Sequence, residues 1–249
     1  MTTAPAADQR RLLDVQALDT TLDQLAHRRR SLPELARLLE LDAQLADLHT
    51  ALVTSRTAAE DLRRELTKAE ADVEQVRVRA ARDQARLDSG QGSPKDLQAL
   101  QSELVALGRR QSDLEEVELE VMERLEAHES ALAEVTSAHD ALLAQKSAVE
   151  TDRDTAFRDI DAEAERVRAN RATTAQGLDE KLVALYEKLR GQLGGLGAAP
   201  LRGRRCEGCR LELNPLDLDA IRSKAEDQVV RCEECGRILV RLPESSAQA

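Results

Sequence analysis

The chain has 249 residues, 33% of them charged, only 1% aromatic, and a formal net charge of −11. One Tyr, one Phe and no Trp exclude the aromatic-rich core usual for a globular domain of this length. The abundance of Leu, Ala, Glu, Arg and Gln fits long helices, and no stretch is apolar enough to span a membrane.

Residues Met1–Asp8 carry no apolar signal core. A first helix is predicted from about Asp8 to Arg30, with Leu12, Val15, Leu18, Leu22 and Leu25 on one stripe. Ser31-Leu32-Pro33-Glu34 reads as a break and restart, so a kink is expected near Pro33. From Leu38 to Leu87 the a/d heptad pattern runs without a phase shift, about 75 Å of helix that needs a partner to bury its seam.

The pattern stops at 88–96. Gly90 and Gly92 end the helix, Ser93 caps the next, Pro94 takes its first position and Asp96 completes a capping-box-like pair. A tip this short makes the two helices antiparallel neighbours. Residues near Leu87 should face Leu97, and residues near Leu41 should face Leu142. The second helix continues through a more polar seam at Lys146 and Arg153, where a kink or splay is expected, to Leu178, Leu182, Leu185 and Leu189. That last stripe should pack on the first helix. Gly191–Gly197 is expected to end the second helix and form a flexible joint. Beyond it, 228–231 and 237–241 read as short strands and 216–222 as a short helix.

The four cysteines, Cys206, Cys209, Cys232 and Cys235, are the only ones in the chain. Two CxxC pairs at ribbon separation are the sequence form of a four-thiolate zinc site. Each pair makes a tight knuckle that aims two sulfurs at one point. Two disulfides or four idle thiols are the alternatives; the absence of any other cysteine favours one structural Zn(2+). Gly208 and Gly236 stand where knuckles tend to need permissive backbone. Arg205, Arg210, Arg231 and Arg237 can offset the thiolate charge. Reduced, zinc-type cysteines place the chain in the cytoplasm.

These residues carry a resemblance. The two knuckles, the ending Cys232-Glu233-Glu234-Cys235-Gly236-Arg237-Ile238-Leu239 and the tip Ser89-Gly90 with Ser93-Pro94-Lys95-Asp96-Leu97 resemble the bacterial C4-type zinc ribbon proteins with an N-terminal coiled-coil hairpin. The resemblance implies a mostly α fold: a long antiparallel coiled-coil hairpin over 1–195 (tip 88–96), a small C-terminal β zinc ribbon over 196–243, and a disordered tail at 244–249. It also implies an adaptor and not an enzyme. Some members of that family bind an alternative sigma factor, act in flagellar or type III secretion gene control, or are linked to messenger RNA. The expected function is a non-enzymatic zinc-binding regulator that presents its arm and ribbon to protein partners of the transcription or secretion machinery, as a monomer or dimer. The tip residues Ser89, Gly90, Ser93, Pro94 and Lys95 are candidate partner contacts.

The alternative is a nucleic-acid-binding regulator acting through Arg202, Arg204 and Arg205. Residues 200–249 hold nine basic and nine acidic side chains, so all of the net charge lies on the helical part. An equal balance and a ribbon without aromatics favour a solvated basic edge over an RNA or DNA grip. His128 and His139 fall on seam positions, where they set register more readily than they bind a second metal. Asp83, also a seam position, is expected to face solvent or Lys95. No nucleophile–base motif or phosphate loop is present: the run at 191–197 lacks the Lys-Ser/Thr ending and follows a helix.

Overall fold

The computed structural model describes residues 2–242; the tail expected at 244–249 lies outside the described residues. The chain is mostly α: a coiled-coil hairpin followed by a small three-stranded β ribbon. It divides into two compact units, Ala36–Glu150 and Met1–Leu35 with Thr151–Ala249.

The first of these units is a helical pair built from α2 (Pro33–Asp88) and the leading part of α3 (Pro94–Ala175). The heptads explain it. Leu38, Leu41, Leu45, Leu52, Ala59, Ala69 and Val73 are buried on α2, and Leu107, Leu114 and Val121 on α3. Flanking ion pairs run antiparallel: Arg79–Glu103, Arg77–Glu115 at 2.7 Å, Arg63–Glu129 at 2.5 Å and Asp42–Lys146 at 2.6 Å. These exposed pairs fix register more than they stabilise. The His128 ring nitrogen Nε2 lies 2.9 Å from the Ser55 carbonyl and 3.1 Å from its hydroxyl, as a register-setting seam residue would. At the tip, Asp96 accepts from the Ser93 N–H at 3.0 Å and hydroxyl at 2.7 Å, and Gly90 and Gly92 adopt φ of 64° and 137°. Asp83 departs from expectation. It is buried on the seam, with Arg79 at 3.9 Å and Arg86 at 4.0 Å, and does not face solvent.

The second unit gathers α1 (Ala6–Arg30), the end of α3, α4 (Glu180–Gln192), β1 (Ala198–Arg202), β2 (Arg205–Cys206), α5 (Pro215–Arg222) and β3 (Ile238–Arg241). The break near Pro33 is complete: Ser31 caps α1 by donating to the His27 carbonyl, and Pro33 opens α2. α3 runs unbroken through Lys146 and Arg153, past the leucines that the sequence pattern places on one continuous second helix. It ends instead at Ala175. Gly177 (φ 78°) turns the chain, and Asp179 caps α4 by accepting from the Leu182 N–H at 2.9 Å. Gly177 and Asp179 were the legible signal for this stop.

The expected packing of α1 on 178–189 is present. Leu12, Val15, Leu178, Leu182, Tyr186 and Leu189 share one core with Ala198, Ile238 and Val240 of the sheet. Leu25 and Leu32 pack with Ile160 and Ala164 in another. Asp19, almost fully buried, accepts from the Tyr186 hydroxyl at 2.7 Å and from Arg171 at 2.6 and 3.0 Å. Burial and this bond to Asp19 push the Tyr186 phenol upward; the same carboxylate raises the Arg171 guanidinium.

The flexible joint is a correction. The end of the segment is packed: a Cβ on Gly195 would lie 2.7 Å from the Asp23 carboxylate, and one on Gly197 2.9 Å from the Tyr186 ring. The chain then enters β1, a strand the sequence reading omitted. Sheet order is β2-β1-β3, with β1 and β3 parallel in the register Ala198↔Ile238 to Leu201↔Arg241. The segment 228–231 forms only isolated bridges, Thr3↔Gln228 and Arg231↔Ile238.

Candidate metal centre

Two knuckles of nearly identical construction bring the cysteines together. In each, the first cysteine donates its N–H to a carbonyl five residues on: Cys206 to Leu211 at 3.1 Å and Cys232 to Arg237 at 2.9 Å. Its carbonyl accepts from the residue four on: Arg210 at 2.7 Å and Gly236 at 2.8 Å. That fifth position is left-handed in both, with φ of 62° at Arg210 and 71° at Gly236. Gly236 therefore serves the backbone role expected of it, and Gly208 does not. Gly208 is required for space: a Cβ there would lie 2.8 Å from Arg237 Cδ and 2.9 Å from Ala199 Cβ.

The four sulfurs lie within 4.8 Å of one another, with Cys206–Cys235 and Cys209–Cys232 at 4.0 Å. Zinc–sulfur bonds of about 2.3 Å place tetrahedral ligands about 3.8 Å apart, so the cluster fits one zinc ion. A disulfide needs about 2.05 Å, and all four cysteines are free. Cys206 and Cys232 are buried in a small core with Ala199, Leu213, Ile221, Val230 and Leu239. The ribbon carries a structural Zn(2+) site of the C4 type. Four thiolate ligands fill the zinc shell and supply folding energy in place of a catalytic vacancy.

The electrostatics are graded. Burial pushes the Cys206 thiol up and the Cys232 thiol up to about 12, opposed by backbone N–H groups of Gly208 and Cys209 at one sulfur and Glu234 and Cys235 at the other. Burial also acts upward on Cys235, but the Arg237 N–H and guanidinium, together with the Cys232 and Cys209 thiols, outweigh it and bring that thiol down to about 7. Of the four arginines expected around the thiolates, Arg237 is the one that meets a sulfur. Its Nε also donates to the Leu196 carbonyl at 2.9 Å. Arg231 donates to the Gly236 carbonyl at 2.7 Å and braces the knuckle.

Arg202, Arg204 and Arg205 stand exposed around the β1–β2 turn, and tip residues Ser89, Gly90, Ser93, Pro94 and Lys95 are likewise exposed. Among the described residues, the cysteines form the single metal-capable group; neither His128 nor His139 joins one. Sequence reasoning missed the glutamines that bind the ribbon to α1. Gln16, 5% exposed, accepts from the Gly197 N–H at 2.7 Å and the Ala198 N–H at 3.2 Å and donates to the Gly195 carbonyl at 3.0 Å. Gln9 donates to the Ala4 carbonyl at 2.8 Å and the Glu226 carbonyl at 3.1 Å. Their only signal was a polar residue beside the apolar stripe.

Comparison with known proteins agrees with this architecture. The CT398-like coiled coil hairpin domain matches residues 15–194, and the C4-type zinc ribbon domain matches 205–239. An uncharacterized protein of Mycobacterium tuberculosis is 39% identical over 239 residues, 96% of this chain and 97% of its own. A solved structure from Mycobacterium smegmatis superposes with a TM-score of 0.85 at 38% identity, covering 97% of this chain and all (100%) of the other. CT398 from Chlamydia trachomatis shares the fold with a TM-score of 0.67 at 20% identity, over 95% of this chain and 98% of its own. The chain belongs to the family of CT398-like coiled-coil hairpin proteins that carry a C4-type zinc ribbon.

Proposed function

We propose that the protein is a non-enzymatic, cytoplasmic adaptor that presents its helical arm and zinc ribbon to protein partners of the transcription or secretion machinery. The observation that carries this reading is the closed metal shell. Four sulfurs converge on one point, which leaves zinc no position for water or substrate. The buried polar groups Asp19, Gln16 and Gln9 are spent on holding elements together. The arm ends in an exposed, well-capped tip suited to display. The test is crosslinking and affinity capture from the native cell, comparing the intact chain with one whose tip residues 89–95 are replaced by a short glycine turn. A stoichiometric protein partner lost with the tip is the expected result; capture of none with either chain would overturn the reading.

A second reading is nucleic-acid binding through Arg202, Arg204 and Arg205. What favours it is that none of the three guanidiniums has an ion-pair partner among the described residues. Binding that falls steeply between two salt concentrations and is lost on substitution of the three would support it.

A further inference from the structure

A pocket of about 320 Å³ lies where the first turns of α1, the β1–β2 turn, the end of α5 and the end of β3 meet. Four of its lining side chains are cationic, Arg10, Arg222, Lys224 and Arg241, against one carboxylate, Glu226. This inverts the balance of a chain whose net charge is −11.

The walls are built before any ligand arrives. The Arg241 guanidinium is surrounded by the carbonyls of Ile221, Lys224, Ala225, Glu226 and Gln228, at 2.6 to 3.3 Å. It thereby fixes the loop that carries Lys224 and leads off from Arg222 at the end of α5. Gln9 ties the Glu226 carbonyl to α1, next to Arg10. The side chains of Arg10 and Lys224 have no carboxylate partner among the described residues. Like charges gathered on a rigid rim repel one another, and an anion between them removes that cost.

We propose that this pocket binds the phosphate group of a small ligand, either inorganic phosphate or a phosphomonoester. A phosphate carries about two negative charges at neutral pH and offers three strong acceptor oxygens, which suits a pocket lined by Arg10 and Lys224 better than a monovalent carboxylate does. The lining contains no aromatic side chain to hold a base or ring, so recognition falls on the phosphate itself.

The test is calorimetric and NMR titration of the zinc-loaded full chain with inorganic phosphate, a nucleoside monophosphate, acetate and single-stranded RNA. Saturable binding of phosphate or the monophosphate is expected with Kd of about 1 mM or tighter. Loss of one charge-assisted contact in Lys224→Gln or Arg10→Gln should weaken it about tenfold. Melting curves of both variants should match the parent, and Arg205→Gln should leave the affinity unchanged. Equal affinity for the two phosphates identifies the free anion, and preference for the monophosphate an esterified ligand. Absence of saturation, equal binding of acetate, binding unaltered in both variants, or binding of RNA alone would each overturn the proposal.

Discussion

The side-chain oxygen of Gln16 accepts the N–H of Gly197 at 2.7 Å, and the same oxygen serves Ala198 at 3.2 Å. One residue of α1 thus fixes the point at which the chain leaves α4 and enters the sheet. Gln16→Leu keeps the shape but orphans both buried N–H groups. The expected loss is about 2–3 kcal/mol of stability, read from denaturant unfolding, with faster amide exchange at Gly197 and Ala198. Unchanged exchange there would show that the contact is dispensable.

Zinc removal should reach beyond the ribbon. Arg237 touches both the Cys235 sulfur and the Leu196 carbonyl, and β1 and β3 share a core with α1 and α4. Chelation is therefore expected to raise amide exchange in α1 and α4 as well as in 198–241. Loss confined to the knuckles would mean that the helical core stands without the metal.

Arg210 occupies a left-handed backbone position that its counterpart, Gly236, fills without strain. Arg210→Gly is expected to stabilise the zinc-loaded ribbon by roughly 0.5–1 kcal/mol. Competition with a chelator gives the readout: zinc should be released more slowly from the variant.

Asp19 lies at the centre of the helical packing in its unit. Tyr186→Phe removes one bond to a buried carboxylate and should cost about 1–2 kcal/mol. Asp19→Ala leaves the tyrosine hydroxyl without its acceptor and Arg171 with Glu187 alone, and a larger loss of about 2–4 kcal/mol is expected. Thermal melts of the two variants separate these cases.

At the tip, the Ser93 hydroxyl and N–H hold the Asp96 carboxyl below its ordinary value of 3.8. A lowered folded-state pKa stabilises the fold above the ordinary value, and the contribution is lost as pH falls through the lowered one. An NMR titration should find Asp96 below 3.8 in the parent and closer to it in Ser93→Ala.

The helices, the tip and the cysteine cluster were legible because each rests on short-range pattern: heptads, a capping box, CxxC spacing. Failures came where distant segments decide. Gly191–Gly197 has the composition of a linker, yet Tyr186 and Gln16 pack it. Ala198–Arg202 lacks a strand pattern and pairs because Ile238–Arg241 and Arg205–Cys206 lie on either side of it. Asp83 looked like a solvent-facing seam residue because neither Arg79 nor Arg86 is a heptad core position. The α3–α4 break was readable from Gly177 and Asp179, but the leucine stripe running on past it masked the stop.

The bonds at Thr2, Ala4 and Gln9 have a consequence for how the chain is made. Val229 donates to the Thr2 carbonyl at 3.0 Å, Ala4 to the Asp227 carbonyl at 2.8 Å, and Gln9 reaches Glu226 across 217 residues of sequence. The paired helices around the tip can zip from a short turn while synthesis continues. The other unit must wait: α1 leaves the ribosome before the paired helices, and the strand and knuckles that complete its core follow only after them. A newly made α1 therefore keeps Leu12 and Val15 uncovered while the paired helices are synthesised, and shielding that stripe until the second CxxC emerges becomes a task for the cell.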